Sequence, residues 1–413
     1  MTLLSPPTLT VSLVLAFVLR VVWALVIPVE PVSDAAAYAA FATNIAEHGV
    51  YGFTPQTPGA FWAVGTAGIY AGVYLLFGVG SALGVVVINL ISALVVVWLL
   101  HDLGRRWFGE TEGRIAALLF ALWPMAIQFT TVLASEIHFM ALTLAALACW
   151  DRAGRGAGGI AFLLFSGVFF AGATYVRPIA LLIPAALAFA ALLRAPRAAP
   201  GAILKAAVAT ALIFALVAPW SARNERLLGE PVFMSTNFWP VFWMGNHAET
   251  NGEFSRLPPE TDGMTEVEQS DYMKDLSIAA LRADPAGFVW RTTWKAVRLH
   301  ERETIGVAWN LAAIERLAGS TGAFLLKGLS TLYWYAVLAF AVAGIFLHAR
   351  REGAWTTLLS VPVWLWLYFT AVHAIIIIGD RYHMPAIPMI ALLAAYAISR
   401  LAGLSTAQDQ RRA

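Results

Sequence analysis

Few carboxylates stand outside one long polar stretch of this sequence, and two sit where apolar segments meet loops. Asp34 lies in VEPVSDAAAY, just after the first apolar run, and Glu136 in LASEIHF, at the start of another. Arginines mark similar junctions: Arg177 in TYVRPIA and Arg381 in GDRYHMP, beside Asp380, Tyr382 and His383. Arg223 and Asn224 close a further apolar run in PWSARNE. A carboxylate can take a proton, and arginine's planar fork suits phosphate oxygens better than a lysine does. Together these residues outline an anion site beside an acid/base site. Singly, each has a plainer reading. Asp34 complements a helix N-terminus with Ser33 as its cap, Glu136 is a first-turn acid, and the arginines snorkel to the headgroups. Arg177 resists that reading, because its connection is too short to reach bulk water and its charge needs a partner or a ligand. A helix start favours the ionised form of Asp34, ready to accept a proton. On that helix Tyr38, Phe41 and Ile45 share the face of Asp34, an aromatic wall suited to a sugar.

The elements that would position these groups are membrane helices. The 413 residues are 60% hydrophobic and only 13% charged, where soluble domains carry about 25%. Sixteen Trp and eleven Tyr fit interfacial belts. The single Cys149 excludes a disulfide framework and a cysteine-rich metal site, and no basic block exists for nucleic acid. Residues 8–28 lack the flanks of a cleaved signal peptide and read as a retained first span. Runs long enough to cross occur at 8–28, 82–100, 114–132, 136–150, 158–176, 178–194, 203–221, 326–348, 355–378 and 384–400. The fold class expected is an all-α polytopic membrane protein with about ten spans.

Loop charges orient it. One set of connections carries Arg105, Arg106, Arg114, Arg152, Arg155, Arg194, Arg197, Lys205, Arg350 and Arg351, with Arg400, Arg411 and Arg412 in the tail. The alternate set has only Arg177 and Arg381. Excess Lys and Arg mark the cytoplasmic side, which places both termini there and the candidate groups outside. Residues 62–78 would invert every later loop if they crossed, so they read as interfacial or re-entrant, within a first outer loop of 29–81. Three regions result: a transmembrane module 1–222, an extracytoplasmic loop region 223–325, and C-terminal helices 326–413. Within the loop region, GFVWRTTWKAVRLHE reads as an amphipathic interfacial helix.

SDAAAYAAFATNIAEHGVYGF resembles the first outer loop of the GT-C glycosyltransferases, which use lipid-linked sugars and include protein O-mannosyltransferases and lipid A aminoarabinose transferases. GTAGIYAGVYLLFGVGS is similar to the family's outer juxtamembrane helix, ATYVRPIALLIP to its Arg-Pro joint, and DRYHMPAIPMIALLAA to its last span. ALWPMAIQFTTVLASEIHFMAL and APWSARNERLLGEPVFMSTNFWPVFWMGNHAETNGEF match in order between them. The resemblance implies a GT-C fold with outer juxtamembrane helices and one outer loop domain. It implies Asp34 as the base toward an acceptor hydroxyl and Glu136 as a second acid shaping the site. Arg177, Arg381 and Tyr382 would hold the phosphate of a polyprenyl-phosphate sugar. Tyr38, Arg223, Asn224, Asn246, His247 and Asp380 would line the substrate cavity. Transfer would invert the sugar carbon, with a base facing it opposite the leaving group. The partners implied are that donor, membrane lipids and an envelope lipid, glycan or protein acceptor, at a bacterial inner membrane. No cofactor is expected; a cation would bind only if Asp34, Glu136 and Asp380 converged. Asp34 is followed by Ala35, Ala36 and Ala37 where mannosyltransferases carry an Asp-Glu pair, and the alanines read as room for substrate. The sequence shows no counterpart of the large C-terminal soluble domain of oligosaccharyl- and arabinosyltransferases, and the expectation is a bacterial enzyme modifying a lipid, glycan or small envelope acceptor.

Three other classes fit an apolar multi-span chain. A secondary transporter or flippase would show inverted repeats and midplane charges, whereas here no internal repeat is seen and the charges cluster at the outer ends, with Arg20 and His373 the exceptions. A glycan polymerase or ligase would keep its catalytic groups in a late loop. A non-catalytic assembly subunit would tolerate loss of Asp34.

Overall fold

The computed structural model describes residues 6–154 and 158–404; Arg155, Arg411 and Arg412 lie outside them. Helix α1 (Leu9–Val26) leads to α2 (Asp34–His48), a small hairpin of β1 (Gly52–Thr54) and β2 (Thr57–Pro58), and α3 (Gly65–Phe77). Next come α4 (Ala82–Trp107), α5 (Glu110–Ala121), α6 (Pro124–Gln128), α7 (Glu136–Arg152) and α8 (Gly159–Val176). A 3-10 turn at Pro178–Leu182 opens into α9 (Ile183–Arg194), followed by α10 (Ala199–Leu228). The polar insert contains α11 (Phe238–Met244), α12 (Glu266–Ala283), α13 (Pro285–Arg298) and α14 (Ile305–Ala308). The chain returns through α15 (Leu311–Glu352), α16 (Ala354–Leu358), α17 (Val361–Ile376) and α18 (Ile387–Leu401).

The chain is an all-α polytopic membrane protein. Among the described residues six helices are long and apolar enough to cross: α1, α4, α8, α10, α15 and the stretch Met384–Leu401. They are seven if α5 and the turns after it, bent by 54°, count as one span. The other expected spans fall on shorter helices, because charged or proline-bearing junctions trim them: α7 has 17 residues, α17 has 16, and α9 begins after Pro178. These still run between two polar layers. In one, Glu136 at the start of α7 meets Arg177, which follows α8. In the other, Arg152 at the end of α7 donates to Asp102 near the end of α4 at 2.8 Å. Helix α3, with 13 residues, rises about 20 Å and falls short of the roughly 30 Å hydrocarbon core.

Local chemistry explains the boundaries. Ser81 caps α4, its Oγ accepting from the Gly84 amide at 3.2 Å. Thr265 and Glu268 form a reciprocal capping box on α12. Gly49 ends α2 at φ 67°, a left-handed position that favours glycine. Gly104 and Gly113 let α4 and α5 meet backbone to backbone, since a Cβ on Gly104 would press on the Gly113 Cα. Helix α10 continues to Leu228, and α15 starts at Leu311. A break at Gly319 (φ 64°, ψ −177°) separates the first turns of α15 from its long apolar part. Helix α13 is amphipathic: Val289, Trp290 and Val297 are exposed while Lys295 is buried.

Candidate active site

Asp34, Glu136, Arg177 and Arg381 converge in alternating sign. Arg381 ion-pairs with Asp34 and stands 3.6 Å from Glu136. Arg177 ion-pairs with Glu136, and its Nε donates to Ser135 Oγ at 2.8 Å. That hydroxyl donates onward to Glu136 Oε2 at 3.3 Å. Glu136 is fully buried, whereas the Asp34 side chain keeps 30% exposure. Two acids and two bases leave the cluster neutral, so each arginine is already engaged.

Each member is set by its element. Asp34 opens α2, but Ser33 does not cap it: the Ser33 side chain makes no such bond, and its backbone sits at φ 53°, ψ −129°. Ser33 is the one non-glycine residue with positive φ among those described, a conformation costing about 1–3 kcal/mol that tends to cluster at functional sites. Glu136 opens α7, where the helix dipole favours its charge. The segment entering α7 is pinned by Asn89, a lone amide in apolar α4. Its Nδ2 donates to the carbonyls of Phe129, Thr130 and Val132, and its Oδ1 accepts from Tyr70 at 2.9 Å. Tyr70 in turn accepts from the Ala134 amide at 3.0 Å.

Arg381 is placed by its neighbours. Asp380 accepts from the Thr304 amide (2.7 Å) and hydroxyl (2.6 Å) and the Ile305 amide (3.1 Å), tying the turn to the start of α14. The Arg381 guanidinium lies 4.6 Å from the Trp309 ring centre and 5.3 Å from that of Tyr382. Tyr382 also faces Arg177 at 5.9 Å and stacks on His373 at 5.4 Å. Behind the turn, His383 Nδ1 donates to Leu299 O at 3.0 Å and its Nε2 lies 3.0 Å from Glu303 Oε1. Trp123 Nε1 donates to both Glu303 oxygens. Burial raises the Glu303 carboxyl well above its usual range and lowers His383 to about 4. The pair is therefore neutral, with the carboxylic acid donating to the imidazole.

Two cavities meet at the cluster. One of about 420 Å³ is lined by Tyr38, Arg177, Phe233, Phe238, His373 and Tyr382. The other, about 500 Å³, is lined by Phe254, Arg302, Thr304, Trp309 and Asp380. Asp34, Trp62 and Arg381 belong to both walls. Burial, then the charges of Asp34 and Glu136, push the Tyr38 phenol up to about 12, so it presents a neutral O–H.

The remaining residues singled out from the sequence are placed elsewhere. Arg223 donates to the carbonyls of Gly59 (2.5 Å) and Tyr51 (3.3 Å), and Asn224 to that of Val232, fastening outer loops to α10. Asn246 donates to the carbonyls of Ile375 and Ile376 and accepts from Lys295 Nζ at 2.9 Å. His247 stacks on Trp243 at 4.4 Å. Their polar ends are used on backbone or neighbouring side chains, His247 Nε2 lying 3.2 Å from Ser255 Oγ, and these residues do not line the two cavities. Of the supposed aromatic wall only Tyr38 faces a cavity; Phe41 packs against Tyr51, Phe53 and Trp62, and Ile45 against the core. Ala35 is buried, so the alanine run is partly packing and not open space. Asp380 faces Thr304, which keeps it from converging with Asp34 and Glu136. Among the described residues no three His, Cys, Asp or Glu side chains gather as a metal site. Trp309, Trp62, Asn89 and Thr304 were not foreseen; Asn89 carried a signal, an amide alone in an apolar span.

Comparison with known proteins bears on the fold. The crystal structure of ArnT from Cupriavidus metallidurans bound to undecaprenyl phosphate superposes with a TM-score of 0.61 at 14% identity, over 98% of this chain and 60% of that one. This chain has the GT-C fold. The Archaeoglobus fulgidus oligosaccharyltransferase AglB, in complex with an inhibitory peptide and a dolichol-phosphate, gives a TM-score of 0.57 at 14% identity, over 95% of this chain and 50% of its own. The same archaeal enzyme with Zn and sulfate gives 0.56 at 16% identity. The present chain thus spans about half to three fifths of the length of the chains it superposes on. The dolichyl-phosphate-mannose-protein mannosyltransferase family model matches residues 56–222, from the β-hairpin to the end of the apolar part of α10. No curated protein matches the sequence significantly. The GT-C resemblance read from the motifs stands at the level of the fold.

Proposed function

We propose that this chain is a membrane glycosyltransferase that moves a sugar from a polyprenyl-phosphate donor to an acceptor hydroxyl, with inversion, on the extracytoplasmic side. The observation that carries this is the acid–arginine cluster at the junction of two cavities. One cavity takes the donor and the other the acceptor. Asp34 is the one carboxylate of the cluster that is both part-exposed and shared by both walls.

The neutral cluster adds a step to the simple picture of arginines awaiting a phosphate. A donor phosphate arriving beside Arg177 and Arg381 competes with Asp34 for the Arg381 fork. As Arg381 turns to the phosphate, the Asp34 carboxylate is released from its ion pair and its oxygens are free to accept a proton. It then takes the acceptor hydroxyl proton while that oxygen bonds to the anomeric carbon from the face opposite the phosphate. The glycosyl–oxygen bond breaks, and the electron pair leaves on polyprenyl phosphate, whose growing charge Arg177 and Arg381 meet. Glu136 is the fixed counter-charge that keeps both guanidiniums turned inward. Tyr382 and His373 pack beneath them, and the neutral Tyr38 O–H is placed to bond a sugar hydroxyl. No protonated acid is needed for the leaving group.

The loop charges support both termini being cytoplasmic, and the fold resemblance supports a bacterial inner membrane with an envelope lipid, glycan or protein as acceptor. Donor consumption decides the reading. Purified protein is incubated with a panel of polyprenyl-phosphate sugars and extracted envelope material. Wild type should consume one donor, and Asp34→Asn should bind it yet transfer it at least about a thousandfold more slowly. If Asp34→Asn transfers as fast as wild type, Asp34 is not the base.

A further inference from the structure

At the end of the bundle away from Asp34, a second polar cavity of about 190 Å³ lies between the last turns of α4, α15 and α18 and the start of α5. Four arginines line it, Arg105, Arg106, Arg351 and Arg400, against one carboxylate, Glu352. The neighbouring acids do not balance them. Asp102 is shared by Arg105 (3.4 Å), Arg106 (3.2 Å) and Arg152 (2.8 Å), Asp151 lies 3.7 Å from Arg106 and Glu352 3.4 Å from Arg351, so with Glu112 four carboxylates among the described residues meet five guanidiniums. Arg400 reaches Glu112 only at 3.6 Å, and its Nε is buried without a hydrogen-bond partner. The Arg400 guanidinium lies over Tyr396 at 5.0 Å, and Tyr396 packs on Phe108 and His348, so the floor is aromatic. The rim stays open: the Arg105 and Arg351 side chains keep 52% and 34% exposure.

A surplus of planar cations around a pocket of this size, with an unsatisfied buried N–H, matches the tetrahedral oxygens of a phosphate. The pocket lies where membrane helices end, at headgroup depth, on the face that the loop charges assign to the cytoplasm. Basic pockets between helices at that depth suit anionic lipid headgroups. We propose that this cavity is a phosphate-binding site, separate from the proposed transfer site, that takes the phosphodiester of an anionic phospholipid of the cytoplasmic leaflet. The proposal does not depend on the chain being a transferase.

The test is native mass spectrometry of the detergent-purified protein with short-chain phosphatidylglycerol, with phosphatidylcholine, and with inorganic phosphate. Wild type should retain phosphatidylglycerol over phosphatidylcholine, and Arg105→Gln with Arg351→Gln should weaken that retention about tenfold or more. Arg114→Gln, which removes a half-buried arginine of the same face outside the cavity, should leave it unchanged. Bound inorganic phosphate that displaces the lipid would support the anion chemistry and assign the site to a free phosphate. Retention in the double variant equal to wild type, or equal loss in Arg114→Gln, would overturn the site. Should the double variant not fold, the wild type suffices. Phosphatidylglycerol, and not phosphatidylcholine, should slow phenylglyoxal modification of Arg105 and Arg351, and equal modification in both lipids would overturn the proposal.

Discussion

Removing Arg177 tests the cluster most sharply, because it separates the energy of an ion pair from the binding of a phosphate. Glu136 is fully buried and its near partners are Arg177, Ser135 and Arg381 at 3.6 Å. Breaking a buried pair by deleting one partner costs about 3–5 kcal/mol, since the charge left behind is neither solvated nor met. Arg381 remains as a second cation, so the lower end, about 3 kcal/mol, applies to Arg177→Gln. With an unfolding entropy of about 2.1 cal/mol/K per residue over 413 residues, that lowers Tm by about 3–4 °C. Adding Glu136→Gln removes the stranded charge and should return most of the loss, because a buried pair replaced as a pair is nearly neutral. Donor consumption should behave differently. It falls in Arg177→Gln and stays low in the double variant, because the phosphate still lacks a ligand. Thermal melts in detergent and a donor-consumption assay on the same four proteins give both cycles. Recovery of transfer together with stability in the double variant would refute the assignment of Arg177 to the phosphate. An unchanged melt in Arg177→Gln would refute the burial argument.

Three further outcomes follow from the surrounding structure. Asn89→Leu strands the carbonyls of Phe129, Thr130 and Val132 ahead of Glu136 and should cost about 3 kcal/mol, read as a lowered melt with reduced transfer. Ser33→Gly relieves the one positive-φ side chain and should raise stability by up to about 1 kcal/mol; a lowered melt would show that the backbone there is not strained. His300 and His383, held down to about 4 chiefly by burial, bind fewer protons folded than unfolded below the ordinary 6.5. Their contribution is complete above that value and is lost as pH falls toward 4. Glu303, raised by burial, acts in the opposite sense above its ordinary 4.5 and offsets one ring. The net loss from pH 6.5 to 4.5 is about 2 kcal/mol, and a pH-independent melt over that range would contradict it.

The residues legible in the sequence were those whose setting is one-dimensional. A charge at the end of an apolar run has little room to be elsewhere, so Asp34, Glu136, Arg177 and Arg381 stood out before any geometry. Direction was the missing quantity. Arg223, Asn224, Asn246 and His247 have the right types and lie beside the right segments, yet their polar ends turn to backbone carbonyls or stack on a ring. Trp309 reaches Arg381 only because Asp380 ties its turn to Thr304, a contact across 76 residues that no local pattern encodes. The backbone of Ser33 was equally hidden, since serine before an acid reads as an ordinary cap.

Helix α7 has a consequence for the bilayer itself. It is a strut of 17 residues, about 25 Å long, with Glu136 fixed at one end and Arg152 at the other. A typical hydrocarbon core is about 30 Å thick. The two charge layers cannot both sit at its surfaces, so the membrane must thin by about 5 Å around this helix or the outer layer must lie beneath the headgroups. On the proposed reading, a lipid phosphate reaching Arg177 and Arg381 would sit deeper than its neighbours, and bilayer thickness would become a variable that sets how readily the site is filled.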